Sequence, residues 1–195
     1  MGKRRSNVHE RSDLELITGS LKGKLYFREA LYKRYFSYAM SVAVRYTASR
    51  NEAMEIVNDS FMKVLERLDT YDTSKPFKTW YVRIIVNTAI DGYRKKSKEK
   101  YLMNADMDFD DEGKEPEIET ELSANDILAL FSYLPDIYKL TFNLYEIEGY
   151  DHKEIGRILG ISSSTSRSYL TRAKKLLRQL YVKYINSSEK NNEAV

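Results

Sequence analysis

Residues 77–98, FKTWYVRIIVNTAIDGYRKKSK, have the periodicity of one long helix with two unlike faces. With successive side chains about 100° apart, a mostly apolar face and a polar stripe fall on different sides of this helix. The apolar face is formed by Phe77, Tyr81, Ile84, Ile85, Thr88 and Gly92. The polar stripe runs through Arg83, Asn87, Asp91 and Arg94. The segment is therefore predicted to pack by one side and to present the other to a partner.

The helix ends in a cluster of cationic side chains, which favours nucleic acid as that partner. Asn87 carries a hydrogen-bond donor and an acceptor side by side, which reading a base edge requires. The Arg and Lys side chains supply the charge that binds a phosphate backbone. We expect a DNA-binding set of Trp80, Arg83, Asn87, Asp91, Arg94, Lys95, Lys96 and Lys98. The alternatives are an ordinary amphipathic helix with solvated lysines and, for Trp80, a core position.

The composition excludes several kinds of site. The chain has no cysteine, so disulfides, thiolate metal sites and cysteine nucleophiles are excluded. The two histidines, His9 and His152, are too far apart in sequence to suggest a metal cluster. No apolar run approaches the ~18 residues that a membrane span needs, and no apolar core follows the basic N-terminus as in a signal peptide. We expect a cytoplasmic protein without metal, cofactor or small-molecule substrate.

The net charge of +3 conceals a segregation of charge along the 195 residues. Residues 83–100 carry six bases and two acids, residues 106–121 nine acids and one base, and residues 151–185 eight bases and two acids. Two basic segments separated by an acidic one are typical of a polyanion-binding protein. We expect an all-α fold of two small helical domains joined by a flexible acidic linker, the C-terminal domain being a helix-turn-helix. The expected divisions are a flexible tail at 1–20, a first domain at 21–103, the linker at 104–121, a second domain at 122–186 and a tail at 187–195.

In the first domain, the helix before the cationic one is predicted to present an acidic surface. Apolar residues recur inward at Ala53, Val57, Phe61, Val64 and Leu68. The outward residues include Glu52, Glu55, Asn58, Asp59 and Lys63. This surface is either a docking site for a basic partner or a plain solvated face. The segment DTYDTSKPFK, residues 69–78, joins the two helices and is rich in residues that form turns.

The second informative stretch, residues 149–181, is GYDHKEIGRILGISSSTSRSYLTRAKKLLRQLY. Asp151 and Glu154 predict a capping box, and Gly160 predicts the end of a short helix. A longer helix follows a serine-rich turn, and its predicted outer face carries Ser166, Arg167, Tyr169, Arg172, Lys174 and Lys175. A short helix, a glycine-containing turn and a longer basic helix form the plan of a DNA-binding helix-turn-helix. Before it, a single helix is predicted over residues 136–147.

Taken together, the two stretches resemble the sigma factors of bacterial RNA polymerase, specifically the small two-domain extracytoplasmic-function group. In the first domain the resemblance rests on LYKRY at 31–35, EAMEIVNDSF at 52–61 and FKTW at 77–80. In the second it rests on LP at 134–135, YEIEGY at 145–150 and TSRS at 165–168. It extends over about 26–98 and 127–181, which is most of the chain.

The resemblance implies how each set of residues is used. Glu52, Glu55, Asn58, Asp59 and Lys63 would dock on the clamp helices of the polymerase largest subunit. The polar stripe would read the minus-ten promoter element as its strands separate. A flipped base would enter a pocket at the loop 69–75, formed by Thr70, Tyr71, Asp72, Thr73, Ser74 and Lys75.

The second domain would, by the same resemblance, read the minus-thirty-five element as duplex DNA and touch the flap of the second-largest subunit. The residues implied are Ser163, Ser164, Thr165, Ser166, Arg167, Ser168, Tyr169, Arg172 and Lys175. An anti-sigma factor, often a membrane protein, would mask one or both domains and could hold the chain at the inner membrane. The group is not enzymatic, because the polymerase carries the catalytic site.

Three positions depart from the pattern of the group. Met54 stands where many members have an acid, Asn58 where a glutamine is usual, and Gly156 where alanine is common. The glycine is expected to loosen its helix by up to about 1 kcal/mol. The alternative function is a free-standing helix-turn-helix regulator that binds duplex DNA, which would leave residues 69–98 without a role. An enzyme of another class has no support in the sequence.

Overall fold

The computed structural model describes the backbone of residues 11–103 and 129–192, and the side chains of residues 11–98 and 129–184. Within these ranges every regular element is helical, which confirms the expected all-α fold. The α-helices with both ends within these ranges are α1 (Asp13–Leu21), α2 (Leu25–Ala43), α3 (Arg50–Arg67), α4 (Phe77–Met103), α5 (Asp136–Phe142), α6 (His152–Leu159) and α7 (Ser163–Asn192). The expected acidic linker lies outside the described residues.

A helix begins where a loose tail was expected. Ser12 is the N-cap of α1, and its side chain forms a capping box with Glu15. Leu16 and Ile17 are buried against α2, where they contribute about 1.5–3 kcal/mol each. The expectation of a flexible segment at 1–20 is therefore wrong for residues 13–20.

By their contacts, the described residues form two units. One unit runs up to Ala43 and continues over Asn51–Ala89, whereas the other contains Val44–Arg50 and the described residues from Ile90 onward. The grouping differs from the expected division in assigning Val44–Arg50 and the second half of α4 to the unit of the helix-turn-helix.

The first unit has an aromatic core at the start of α4. Tyr81 is 1% exposed, and its ring centroid lies 5.9 Å from that of Phe77, 6.4 Å from that of Tyr35 and 6.5 Å from that of Phe61. Such edge-to-face and tilted ring pairs contribute about 0.5–1.5 kcal/mol beyond their buried area. The predicted apolar face of α4 is buried as expected from Phe77 to Thr88, but Gly92 is exposed.

In the second unit, caps at each end define the helix-turn-helix. Asp151 accepts hydrogen bonds from the backbone N–H groups of Lys153 and Glu154, as predicted for a capping box. Gly160 has φ +70°, a conformation that glycine adopts without strain, and it ends α6 as predicted. The Ser162 hydroxyl accepts from the Thr165 N–H at 3.0 Å and so caps the start of α7.

The helix predicted over 136–147 is not continuous. The α-helix ends at Phe142, and a π-helical turn covers Asn143–Ile147. Asn143 is fully buried in this wider turn, and its Nδ2 donates to the Arg45 carbonyl. π-helical turns are rare, and this one places the Asn143 side chain where it contacts the segment Val44–Arg50.

A buried lysine joins the segment Val44–Arg50 to α5. Lys139 is 1% exposed, and its Nζ donates to the Thr47 carbonyl at 3.1 Å. Tyr46 donates its hydroxyl to Glu148 at 2.9 Å. A buried ammonium is stable only when its donors are satisfied, so these contacts fix this segment within the second unit. None of the helices in the described ranges combines the length and the hydropathy of a membrane-spanning segment.

Gly156 and Gly92 give a matched pair of substitutions. A Cβ at Gly156 would lie 2.7 Å from the Ile161 carbonyl oxygen, whereas a Cβ at Gly92 would have no neighbour within 4 Å. We expect Gly156→Ala to lower the free energy of unfolding by about 1–3 kcal/mol through overpacking. Gly92→Ala should raise it by up to about 1 kcal/mol through helix propensity. Urea unfolding followed by circular dichroism measures both; stabilisation by Gly156→Ala would restore the expectation that this glycine merely loosens α6.

Candidate nucleic-acid interface

The polar stripe of α4 lies on the exposed side of the helix. Arg83, Asn87, Asp91 and Arg94 are all exposed. Burial of Tyr81, Ile84, Ile85 and Thr88 fixes the rotation of α4, and the stripe consequently faces solvent. A base or a phosphate can therefore reach the Asn87 amide without repacking of the core.

Arg94 differs from the rest of the stripe because its guanidinium is engaged. Its Nε donates to the Ile158 carbonyl at 2.9 Å, and its Nη2 donates to the same oxygen. This carbonyl belongs to the last turn of α6, where backbone oxygens lack partners within the helix and cations are favourable. The following residues of the predicted set, Lys95, Lys96 and Lys98, are exposed.

The loop before α4 is organised by its own side chains. Asp72 Oδ1 accepts from the Ser74 N–H at 3.0 Å and from the Ser74 hydroxyl at 2.7 Å. These hydrogen bonds hold the pKa of Asp72 below its usual value, so the carboxylate is charged at neutral pH. The Tyr71 hydroxyl donates to the Lys75 carbonyl and closes the loop. Thr70, Asp72, Thr73, Ser74 and Lys75 are exposed, as the predicted pocket requires.

Tyr71 and Trp80 form an aromatic wall beside this loop. Their ring centroids are 5.1 Å apart, and the Phe77 ring lies 5.5 Å from Tyr71 and 5.7 Å from Trp80. Trp80 is half-buried, so it is neither a full core residue nor a free stacking platform. The Tyr71 and Phe77 rings pack against part of the indole ring, and the rest of the ring is accessible to solvent.

On α7, most of the predicted DNA-binding residues face solvent. Ser164, Arg167, Ser168, Arg172 and Lys175 are exposed, and Ser163 and Thr165 are partly exposed. The Tyr138 hydroxyl of α5 accepts from Arg172 Nη1 at 3.2 Å and thereby orients the guanidinium. The N-terminal turns of α7 accordingly present hydroxyls and cations together, the combination that contacts base edges and phosphates.

Two residues predicted for this face are not free to reach DNA. Ser166 is 0% exposed and forms a 2.9 Å hydrogen bond with His152 Nδ1, so the expectation of a DNA contact by its side chain is wrong. Partial burial, together with the charge of Arg167, lowers the pKa of His152, which favours the neutral ring in this bond. Tyr169 is only partly exposed because its ring packs 5.3 Å from that of Tyr138.

The predicted docking surface on α3 is exposed at Glu55, Asn58 and Asp59 and partly exposed at Glu52 and Lys63. Asn58 Oδ1 accepts from the Tyr32 hydroxyl at 2.8 Å. Sequence reasoning missed Met62, which is 57% exposed on the same side of the helix. Its position outside the inward series of α3 was the available signal. The surface thus combines acids with one flexible apolar side chain.

Comparison with known proteins assigns both parts of the chain. Residues 31–99 match the family model for sigma-70 region 2, and residues 124–177 match that for sigma-70 region 4. The free-standing regulator considered above does not account for the first of these matches.

Two relatives named as sigma factors agree with this assignment. The RNA polymerase sigma factor SigV of Bacillus subtilis is 31% identical over 70% of this chain and 80% of its own length. The ECF RNA polymerase sigma factor SigM of the same organism is 26% identical over 81% of this chain and 97% of its own length. Among solved structures, the sigma factor RpoE of Bartonella quintana, crystallised with the anti-sigma factor NepR, is 18% identical over 84% of this chain and 97% of that one, with a TM-score of 0.47.

The chain belongs to the sigma-70 family of RNA polymerase sigma factors, in its extracytoplasmic-function group. It binds core RNA polymerase and directs promoter-specific initiation of transcription. Members of this family are generally DNA-binding initiation factors rather than enzymes.

The burial of Ser166 generates a test that separates a structural serine from a surface serine. Ser166→Ala removes a buried hydrogen bond and should lower the stability of the helix-turn-helix by about 1 kcal/mol. Ser168 lies two residues further along α7 and is exposed. Ser168→Ala should therefore change the stability of the helix-turn-helix by less than about 0.5 kcal/mol. The difference in stability between the two variants can be measured by the protection of the α6 amides against hydrogen exchange. Equal protection in both variants would contradict the structural role of Ser166.

Proposed function

We propose that the two family regions divide one promoter between them. The first domain, residues 21–103, would dock on the polymerase and take the minus-ten element, and the second, residues 122–186, would take the minus-thirty-five element. The observation that carries this proposal is the exposed α4 stripe beside a loop already closed by its own hydrogen bonds. A preorganised loop loses less conformational entropy when it orders around a ligand.

The minus-ten element would be read from its non-template strand. A base flipped out of the stack would enter at the loop 70–75, against the accessible part of the Trp80 ring. Asn87 would hydrogen-bond to a base edge, and Lys95, Lys96 and Lys98 would bind phosphates. Flipping costs a few kcal/mol of unstacking and unpairing, and stacking on an aromatic ring offsets about 1–3 kcal/mol of it.

Arg94 would join this contact while it holds Ile158. The Ile158 carbonyl accepts from Nε and Nη2, which leaves both N–H groups of Nη1 and the second N–H of Nη2 for a phosphate. A guanidinium–phosphate contact is charge-assisted and therefore stronger than a contact with a neutral carbonyl.

The minus-thirty-five element would be read as duplex by the start of α7. Ser164, Arg167 and Ser168 are exposed within its first two turns, the part of a recognition helix that reaches base edges. Arg172 and Lys175 lie further along and would contact phosphates. Ser166 and Tyr169 would act indirectly, by holding α7 against α6 and α5.

The acidic side of α3 would dock on the clamp helices of the polymerase largest subunit, and the second domain would touch the flap of the second-largest subunit. The exposed acids around Glu55 and Asp59 suit a basic partner surface and would steer the encounter by charge. The catalytic site would belong to the polymerase. We also propose, from the family resemblance, that the chain is cytoplasmic and is masked until needed by an anti-sigma factor, which could be membrane-bound.

Asn87→Ala tests reading of the minus-ten element. We expect open-complex formation by the holoenzyme to fall about tenfold, as for the loss of one bidentate base contact. Affinity for core polymerase should stay within about twofold, because Asn87 is exposed and lies on α4 rather than α3.

The control for this experiment is Gln179→Ala, which removes an exposed amide on α7 away from the stripe and from the docking surface of α3. Permanganate footprinting of the melted region and size-exclusion binding to core polymerase give the two readouts. An Asn87 variant that opens promoters normally would remove this residue from the reading of the minus-ten element.

Arg172→Ala tests the phosphate contact of α7. The slope of log affinity against log salt should fall by roughly one unit for the holoenzyme on a duplex carrying the minus-thirty-five element. Arg178→Ala is the matched control, since Arg178 is exposed on α7 beyond the proposed contact region. If the Arg172 and wild-type slopes coincide, Arg172 does not bind a phosphate.

A further inference from the structure

Helix α1 lies outside the segment that matches region 2, which begins at residue 31, yet its first residue is tied into that segment. Asp13 Oδ1 accepts from Arg34 Nη1 at 2.8 Å, and Asp13 Oδ2 accepts from the Tyr35 hydroxyl. Arg34 Nη2 also donates to the Arg11 carbonyl at 2.6 Å. The Asp13 carboxylate of α1 thus accepts hydrogen bonds from two side chains of α2.

The Tyr35 ring carries this connection to the start of α4. Its centroid lies 4.7 Å from that of Phe77, the first residue of α4. The Phe77 ring in turn packs against Tyr71, whose hydroxyl closes the loop at Lys75. A continuous set of contacts therefore runs from Asp13 through two aromatic rings to the loop that the proposed function assigns to the flipped base.

The burial pattern shows why the carboxylate matters. Tyr35 is 5% exposed, and a buried hydroxyl without a partner carries a desolvation penalty. Loss of the Asp13–Tyr35 hydrogen bond from either side releases the ring from α1: a weaker acceptor leaves the buried hydroxyl poorly paired, and removal of the hydroxyl leaves the ring without its attachment. The neighbour of the ring in any resulting movement is Phe77, against which Tyr71 packs. Burial, followed by the charges of Asp13 and Asp72, raises the pKa of Tyr71, so Asp13 also lies within electrostatic range of the loop.

We infer that Asp13 is a positioning residue for the loop 70–75, through which α1 sets how strictly the chain discriminates the flipped base of the minus-ten element. The inference rests on the proposed function of that loop. It adds to that function a segment preceding region 2, which acts on base selection without touching DNA. The physical basis is rigidity: a loop that shifts easily accommodates the wrong base at a lower cost.

The test uses holoenzyme carrying Asp13→Asn or Tyr35→Phe, the second of which removes only the hydroxyl and keeps the ring. Four promoters that differ in one base at the flipped position give the discrimination ratio. We expect this ratio to fall by about three- to tenfold in both variants, as for one weakened charge-assisted hydrogen bond. Core affinity should remain within about twofold. Trp80 is the only tryptophan of the chain, and its ring centroid lies 5.1 Å from that of Tyr71, so its fluorescence emission should shift when the loop moves.

Glu29→Gln is the matched control, because it neutralises an exposed carboxylate of α2. This carboxylate forms an ion pair with Lys33, with 2.6 Å between Oε1 and Nζ, and it has no part in the contacts that lead to the loop. It should change neither the ratio nor the emission. Unchanged discrimination and emission in both test variants would overturn the inference. A parallel loss of discrimination, core affinity and thermal stability would also overturn it, since Asp13 would then only maintain the fold.

Substitutions in the loop itself separate this inference from the proposed function. If Thr73→Ala and Tyr71→Ala alter base discrimination while Asp13→Asn does not, the loop reads the base without help from α1. If the loop substitutions have no effect either, the assignment of the flipped base to this loop is wrong.

Discussion

Burial of the aromatic face of α4 is the constraint on which the first unit depends. Tyr81 lies among Phe77, Tyr35 and Phe61 with almost no exposed surface, and its position fixes the rotation of α4 about its axis. The polar stripe therefore faces solvent because the opposite side cannot. A single packing requirement thus determines both the core and the surface available to DNA. The sequence of α4 therefore carries two patterns at once, an apolar one for the buried face and a polar one for the exposed stripe.

In the second unit, backbone geometry shapes the helix-turn-helix beside a core of large side chains that includes Leu140, Leu144 and Ile155. Gly160 turns the chain between α6 and α7, and Gly156 leaves room for the Ile161 carbonyl. The Ser162 cap and the Ser166–His152 hydrogen bond then hold the start of α7. Small polar residues that look suited to DNA contact are partly used to build the motif, and only their exposed neighbours remain available for recognition.

Local patterns allowed the all-α fold, the helix-turn-helix caps and the exposed stripe to be predicted, because each depends on residues close in sequence. Helix α1 also had a readable signal, the capping box of Ser12 and Glu15, but nine residues are too few for a convincing periodicity. Ser166 lies four residues before Leu170 and so shares its inward face, a signal that its polarity obscured. In contrast, the contacts of Asp13, Lys139 and Arg94 join segments far apart in the chain, and no local pattern encodes them.

The length of α7 has a mechanical consequence. Its 30 residues span about 45 Å, whereas only the first few turns fit a major groove. Leu170, Ala173, Leu180 and Tyr184 are buried along this length, and α7 packs against α5 and α6. The helix therefore cannot pivot alone at the Gly160 turn. In the proposed complex, any change in how its first turns sit in the groove would carry α5 and α6 with it.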